Sequence, residues 1–214
     1  MAAPGSPRIY VLAGVNGAGK SSVGGAAFLR QGVEYFNPDE AARKLIATNP
    51  GMSQTEANGA AWHQGSRLLK RAIDERLDFA FETTLGGNTI LRQLAEAVAQ
   101  GIEVHVWYAG LAGVELHIER VQSRVRRGGH DIPEEAIRRR YERSRLNLIH
   151  LLPRLTALLV YDNSLDADPA TGQAPRPVLV LRMERGKIAG PADLTQTPDW
   201  AKPIVAAALK LNLG

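Results

Sequence analysis

Short apolar runs alternate with helix-like patterns along most of the chain. Five segments rich in β-branched, aromatic and aliphatic residues predict buried strands, at residues 9–12, 33–36, 78–81, 102–109 and 157–161. Six segments between them predict helices, at residues 21–30, 40–48, 53–76, 89–100, 114–127 and 133–150. Because strands and helices alternate, the pattern predicts an α/β fold in which helices sandwich a parallel sheet with right-handed crossovers.

The C-terminal part of the chain departs from this alternation. Residues 166–177 read as a Pro, Gly and Ala loop, and residues 178–183 with 187–188 predict a hairpin that turns at Arg185 and Gly186. A closing helix is predicted at residues 200–213. With 214 residues, the chain is long enough for one α/β domain and short for two, so residues 1–214 are expected to form a single domain.

A glycine-rich segment follows the first strand directly. The segment GVNGAGKS, at residues 14–21, matches G-x-x-x-x-G-K-[ST], in which backbone N–H groups surround phosphate oxygens. Lys20 is expected to reach the β- and γ-phosphates, and the Ser21 hydroxyl to ligate Mg2+. A glycine turn with a chance lysine is the bland alternative, which the strand, loop and helix context disfavours. The predicted nucleotide-binding residues, for ATP or GTP, are Gly14, Asn16, Gly17, Ala18, Gly19, Lys20, Ser21 and Ser22.

Two groups of polar residues follow the second and third strands. Asp39 comes after the second strand, and Glu82, Thr83 and Thr84 follow the third. Open α/β sheets place ligand groups at the carboxyl ends of their strands, so these residues are candidates for substrate binding. Asp39 is either a catalytic base or the N-cap of the helix at residues 40–48, and the other three are either substrate contacts or ordinary strand-end residues.

Helical spacing in residues 53–76 predicts which side chains enter the core. Trp62, Leu69 and Ile73 recur on one face, which favours core packing over a ligand site, and His63 is expected to be structural.

The charge is concentrated in one segment. The net charge is +4, and residues 119–145 hold nine arginines against five acidic residues. Two arginine-rich helices flank Gly128 and Gly129, so residues 114–150 are expected to form a lid over bound nucleotide. Nucleic-acid binding is disfavoured because aromatic residues are not interleaved with the arginines, and a solvated helix face is the remaining alternative.

Composition sets the expected compartment. The sequence has no cysteine, which is compatible with a reducing cytosol. No apolar run approaches the length of a membrane span, and the first residues lack the pattern of a secretory signal. A cytoplasmic protein without a membrane partner is expected.

Five motifs occur in a distinctive order: AGVNGAGKSS, YFNPDEAAR, FETTLGG, ERVQSRVRRGGHDIPEEAIRRRYERS and YDNS. This set resembles the zeta toxin family of P-loop kinases over residues 9–164. The resemblance implies a P-loop kinase fold and an ATP- and Mg2+-dependent kinase that phosphorylates a hydroxyl of a UDP-activated amino sugar, typically UDP-N-acetylglucosamine. It also implies a toxin, and many members of the family are restrained by an antitoxin protein.

The resemblance assigns roles by position. It places Lys20 on the phosphates and Ser21 on magnesium, makes Asp39 the group that activates the sugar hydroxyl, and puts Glu82 and Thr84 in the substrate pocket. Arg120 and Arg127 are implied to contact the transferring phosphate, with Arg124 and Arg126 competing for those roles.

One departure from the family concerns the acceptor. A second pocket glutamate, expected before the third strand, has no counterpart near Ser66. A kinase of another acceptor, such as a nucleoside, an antibiotic or a free sugar, therefore stays open. A nucleotide-dependent switch protein is a further alternative, which Asp39 and the arginine segment disfavour because a switch needs no acceptor base.

Overall fold

The computed structural model describes residues 5–20, 23, 33, 35–165 and 176–213. The described strands are β1 (Arg8–Ala13), β2 (Tyr35–Phe36), β3 (Phe79–Thr83), β4 (Glu103–Gly110), β5 (Ala157–Asp162), β6 (Val178–Glu184) and β7 (Lys187–Gly190). The described α-helices are α1 (Pro38–Thr48), α2 (Gln54–Asp74), α3 (Asn88–Ala99), α4 (Val114–Arg126), α5 (Glu134–Leu151) and α6 (Lys202–Leu213).

These strands form one seven-stranded sheet in the order β2-β3-β1-β4-β5-β6-β7. The first five strands pair in parallel, and β6 and β7 add an antiparallel hairpin at the edge. The predicted α/β fold and the hairpin with its closing helix are therefore confirmed. Two predicted segments, the helix at 21–30 and most of the loop at 166–177, lie outside the described residues.

Strand β1 is the middle one of the five parallel strands, and both of its faces are apolar. Ile9 and Val11 belong to the main core cluster, whereas Tyr10 and Leu12 pack on the opposite face with Ala80. Alternate residues of a strand point to opposite faces, so a strand covered on both sides needs a continuous apolar run. This central strand delivers the glycine-rich segment to the carboxyl edge of the sheet.

The glycine-rich segment after β1 packs directly against the backbone of β4 and of α4, with no side chain between them. Gly14 has a φ of 144° and Gly17 a φ of 84°. A Cβ atom at Gly14 would lie 2.3 Å from the carbonyl oxygen of Ala109, and one at Gly17 would lie 2.6 Å from that of His117. Both positions therefore require glycine for conformation and for space.

The helix α2 differs from the sequence expectation at Trp62. Leu69 and Ile73 are fully buried as predicted, but 45% of Trp62 is exposed, so its assignment to the core is wrong. Ala57 and Ala61, on the adjacent face of the helix, pack against α1. The N-terminal half of α2 is thus held by α1, and Trp62 is left facing a cavity.

The arginine-rich helices α4 and α5 make two different contacts. Ile118, Val121 and Ile137 form a small cluster with Val15 of the glycine-rich loop. The second half of α5 packs in the main core through Leu148 and Leu151. The lid stays a prediction. Because the second half of α5 belongs to the main core, only α4, the loop after it and the first turns of α5 are candidates for such a lid.

His117 joins α4 to the glycine-rich loop. The residue is buried, and its Nδ1 donates a hydrogen bond to the carbonyl oxygen of Asn16 at 2.9 Å. Burial is the main reason that the pKa of His117 falls to about 4, and the nearby positive charges of Lys20 and Arg120 contribute to the same shift. The folded protein therefore keeps this histidine neutral near pH 7.

We predict that acid weakens the fold through His117. Between pH about 6.5 and 4 the unfolded chain binds a proton on His117 that the folded chain excludes, so the free energy of unfolding falls as the pH falls. The slope from this residue is at most about 1.4 kcal/mol per pH unit. Urea unfolding of the wild type and of His117→Gln across this range measures the difference. Equal slopes in the two proteins would contradict the assignment.

Candidate active site

The carboxyl edge of the sheet brings three chain segments together. The glycine-rich loop follows β1, Asn37 follows β2 and Glu82 lies near the end of β3. Parallel pairing of β1 with β3 and of β2 with β3 sets these segments side by side. The sequence-predicted residues Lys20, Asp39 and Glu82 thus gather at one edge, as expected for an open α/β sheet.

The glycine-rich loop has a backbone suited to phosphate binding. Gly14, Gly17 and Gly19 all have positive φ, which turns successive N–H groups in directions that other residues rarely allow. Lys20 is 9% exposed, and its Nζ donates to the carbonyl oxygen of Gly14 at 2.9 Å. Ala18 is buried beside them.

The hydroxyl-bearing end of this motif is not described. Ser21 and Ser22, predicted to bind magnesium and phosphate, lie outside the described residues.

Glu82 is the part-buried anion of the site, with 12% of its side chain exposed. One carboxylate oxygen lies 3.4 Å from Nζ of Lys20, and the other accepts hydrogen bonds from Tyr35 Oη at 3.0 Å and Asn37 Nδ2 at 3.3 Å. Burial, together with the charge of Glu82, raises the pKa of Tyr35, so the phenol stays protonated and donates. The carboxylate is thereby fixed between the loop lysine and strand β2.

Asn37, rather than Asp39, caps helix α1. Its Oδ1 accepts hydrogen bonds from the backbone N–H groups of Asp39 at 2.9 Å and Glu40 at 3.3 Å. The capping interpretation of Asp39 is therefore wrong, because Asp39 lies in the first turn of the helix and its N–H is itself capped. The Asp39 carboxylate, 40% exposed, is left to face two cavities.

Two side chains, one from the last turn of α4 and one from the loop after it, approach Asp39. Arg124 Nη1 lies 3.8 Å from one carboxylate oxygen, and His130 Nε2 lies 4.0 Å from the other. Arg124 also donates to the carbonyl oxygen of His130 at 3.2 Å, while its buried Nε has no hydrogen-bond partner among the described residues. Burial lowers the pKa of His130, so Arg124 supplies the positive charge at this point.

Arg140 of α5 reaches the glycine-rich loop. Its Nη1 donates to Asn16 Oδ1 at 2.8 Å. Its stem packs close to Gly86, where a Cβ atom would lie 3.0 Å from Cγ of Arg140. The expectation of a solvated helix face therefore fails at Arg140, although it holds for Arg138, an exposed residue paired with Glu115 at 2.7 Å.

The two arginines assigned by position point elsewhere in this conformation. Arg120 donates to the carbonyl oxygens of Asn163 at 2.9 Å and Ser164 at 3.3 Å, at the end of β5. Arg127 is exposed and its Nε donates to the carbonyl oxygen of Ser123. Spacing alone could not separate these residues from Arg124, since only the approach of α4 to α1 decides which guanidinium faces Asp39.

A cavity of about 400 Å³ connects the loop with the substrate residues. Its lining includes the polar side chains of Asp39, Glu82, Thr84 and Arg140, together with aromatic and small residues of β2 and α2. Thr83 also lines the cavity, but its Oγ1 accepts a hydrogen bond from the backbone N–H of Leu85 and so shapes the turn. A second, more open cavity of about 790 Å³ lies beyond Asp39 and is lined by Arg124 and Arg127.

Within the described part of the chain, no helix combines the length and apolar character that a membrane span requires.

Solved structures share this fold. A chain in the crystal structure of AvrRxo1-ORF1:-ORF2 with ATP superposes with a TM-score of 0.66 at 15% identity, covering 95% of this chain and 64% of its own. This chain therefore spans less than two thirds of that neighbour's length. A chain of the PezAT chromosomal toxin–antitoxin system of Streptococcus pneumoniae superposes with a TM-score of 0.57 at 14% identity, covering 100% of this chain and 89% of its own.

Sequence comparison leads to the family. An uncharacterized protein of Haemophilus influenzae is 33% identical over 129 residues, which cover 60% of this chain and 88% of the relative. The model of the Zeta toxin family matches residues 1–164. Those residues include the glycine-rich loop, Asp39, Glu82 and the arginine segment, and the chain belongs to the zeta toxin family.

Proposed function

We propose that the protein is an ATP-dependent kinase that phosphorylates a hydroxyl of a UDP-activated sugar, such as UDP-N-acetylglucosamine, and acts as a zeta-type toxin. The observation that carries this proposal is the carboxylate of Asp39. Because Asn37 caps helix α1, this carboxylate takes no part in capping, and it lines the same cavity as Asn16 of the phosphate loop. Family membership and the kinase-like fold support a phosphotransferase. The UDP-sugar is the acceptor that the sequence resemblance to this family implies.

The phosphate loop fits a nucleoside triphosphate. Backbone N–H groups at Gly17 and Gly19 and the ammonium group of Lys20 would hold the β- and γ-phosphates, in a cradle that a Cβ atom at Gly14 or Gly17 would obstruct. Among the described residues, no three carboxylate or imidazole side chains cluster as a metal site. Mg2+ would instead be held by phosphate oxygens and by Ser21, and it would neutralise charge on the phosphates.

Asp39 would act as the general base of the transfer. The acceptor hydroxyl gives its proton to the Asp39 carboxylate while its oxygen forms a bond to the γ-phosphorus. The bond from that phosphorus to the β,γ-bridging oxygen breaks, and the electron pair leaves with ADP. Arg124, beside Asp39, and Arg140, beside Asn16, flank the reacting group and would stabilise its equatorial oxygens.

Glu82 holds Lys20 in place for this step. Its carboxylate contacts Lys20, Tyr35 and Asn37 in one buried network. The loop lysine and the helix that presents Asp39 are thus joined through one anion. Thr84 lines the cavity and offers a hydroxyl to a substrate group.

Restraint by an antitoxin protein belongs to the same proposal. Membership of the zeta toxin family supports it. A structural neighbour comes from a system described as toxin–antitoxin, which adds to that support.

The direct test is a product analysis. We expect the purified protein with ATP and Mg2+ to add one phosphate to a UDP-sugar, read as a gain in product mass, and to leave nucleosides, antibiotics and free sugars unchanged. Lys20→Ala serves as the matched inactive protein, because it removes the cation that interacts with the β- and γ-phosphates. Phosphorylation of a free sugar or nucleoside in place of every UDP-sugar would contradict the acceptor assignment.

A second prediction concerns Asp39. Asp39→Asn should bind ATP normally and lose about two to four orders of magnitude in kcat, the usual contribution of a general base. The thermal midpoint should change little, because Asn37 supplies the helix cap. Single-turnover kinetics with Glu40→Gln, an exposed neighbour in the same turn, provide the control. Near-normal turnover of Asp39→Asn would show that Asp39 is not the general base.

A third prediction ranks the arginines. Arg124→Lys and Arg140→Lys should lower kcat more than they weaken ATP binding, because lysine lacks the planar fork that donates two hydrogen bonds to phosphate. Arg138→Lys, an exposed residue in α5, should behave as wild type. Parallel measurements on Arg120→Lys and Arg127→Lys test the roles assigned by position. A uniform, salt-sensitive loss of ATP affinity at all five positions, with kcat unchanged, would instead indicate a diffuse anion-binding surface.

A further inference from the structure

Trp62 is an exposed indole in the wall of the candidate substrate cavity. It lies on α2 and is 45% exposed, although helical spacing places it on the apolar side of the helix. His63 contacts it with ring centroids 4.9 Å apart and planes at 77°. A large indole left half in solvent, and held edge-on by a neighbour, is available to a ligand on its remaining surface.

The helix face around Trp62 leaves room for a flat group. Gly59, one turn earlier, lines the same cavity, and a Cβ atom there would meet nothing within 4 Å. Side chains of a helix lean toward its N-terminus, so the indole extends over the turn that contains Gly59. Gly65, one turn later, lies against the ring of Phe36, 2.6 Å from where its Cβ would be. The cavity that the indole lines is therefore also lined by open helix surface at Gly59 and by the aromatic ring of Phe36.

The polar groups at this end of the cavity are mostly occupied by one another. Ser66 Oγ donates to Gln93 Oε1 at 3.3 Å, and Gln93 Nε2 donates to the carbonyl oxygen of Ser66 at 3.0 Å. Asn58 Oδ1 accepts from Gln54 at 2.9 Å. A sugar ring with several hydroxyls would find few partners here, whereas a planar base needs few hydrogen bonds and gains from stacking.

We propose that Trp62 is the stacking platform for the nucleobase of a nucleotide-linked acceptor, while the sugar that receives the phosphate lies at the Asp39 end of the same cavity. This inference rests on the proposed function for the identity of the acceptor. It adds a binding site for the nucleobase, away from the phosphate loop, that consists of Trp62, the open helix surface at Gly59 and the ring of Phe36. It makes Trp62 a specificity-determining residue for acceptors that carry a base.

Direct binding tests the platform without any transfer reaction. Of the three tryptophans in the sequence, Trp200 is only 3% exposed and Trp107 is half-buried on another part of the sheet. With the phosphate loop occupied by β,γ-imido-ATP and Mg2+, UDP should quench tryptophan fluorescence saturably. The quench should vanish in Trp62→Phe. N-acetylglucosamine 1-phosphate, which has no base, should give no such quench.

Kinetics provide the second readout. Trp62→Ala should raise the acceptor KM about 5- to 150-fold, the range expected for the loss of one stacked base, with kcat and the ATP KM unchanged. Gly59→Leu should do the same, because its side chain would fill the open space beside the indole. Arg67→Leu, an exposed position of the same helix outside the cavity, is the matched control.

The outcomes separate this inference from the proposed function. A Trp62-dependent quench by UDP without phosphorylation of any UDP-sugar would support the platform and overturn the proposed kinase acceptor. Phosphorylation of a UDP-sugar with an unchanged KM in Trp62→Ala would overturn the platform alone. An equal quench by UDP and by N-acetylglucosamine 1-phosphate would overturn the assignment of the base to this end of the cavity.

Discussion

The candidate site depends on a part-buried carboxylate, that of Glu82, which contacts three elements of the fold. It contacts Lys20 of the phosphate loop, Tyr35 of β2 and Asn37 at the start of α1. An ionised carboxylate with 12% exposure is costly to bury unless cations and hydrogen-bond donors surround it. Loss of one partner would leave a charge or a hydrogen-bonding group of this network without its counterpart. The network is therefore expected to fix the position of the phosphate loop relative to helix α1.

Asn37 extends this constraint from the phosphate loop to the acceptor side. Its side-chain Nδ2 donates to Glu82, while its side-chain Oδ1 accepts from the N–H of Asp39 and so caps α1. Asn37 therefore positions Asp39, the proposed base, and also contacts Glu82, the anionic partner of Lys20. On the other side, Arg124 at the end of α4 and His130 in the loop after it approach Asp39, so α1 and the predicted lid meet at this carboxylate.

Most of the fold could be predicted from the sequence because its signals are local. Apolar runs located the strands, and the G-x-x-x-x-G-K-[ST] motif located the loop at the end of β1. The errors arose where tertiary contacts decide. Trp62 follows the helical apolar spacing, yet α1 covers only the neighbouring alanines. Asp39 resembles a cap until the backbone shows Asn37 in that place. Arg140 looks like one of three equivalent arginines until its contact with Asn16 separates it from Arg138.

The central claim is that Asp39 takes the proton of an acceptor hydroxyl beside the phosphate loop. The most direct measurement is a crystal structure with β,γ-imido-ATP, Mg2+ and UDP-N-acetylglucosamine bound together. If Asp39 is the base, one sugar hydroxyl should lie about 2.6–3.2 Å from an Asp39 carboxylate oxygen and about 3–3.5 Å from the γ-phosphorus. A bound acceptor whose hydroxyls all lie beyond hydrogen-bond reach of Asp39, with Asp39 paired only to Arg124, would contradict it.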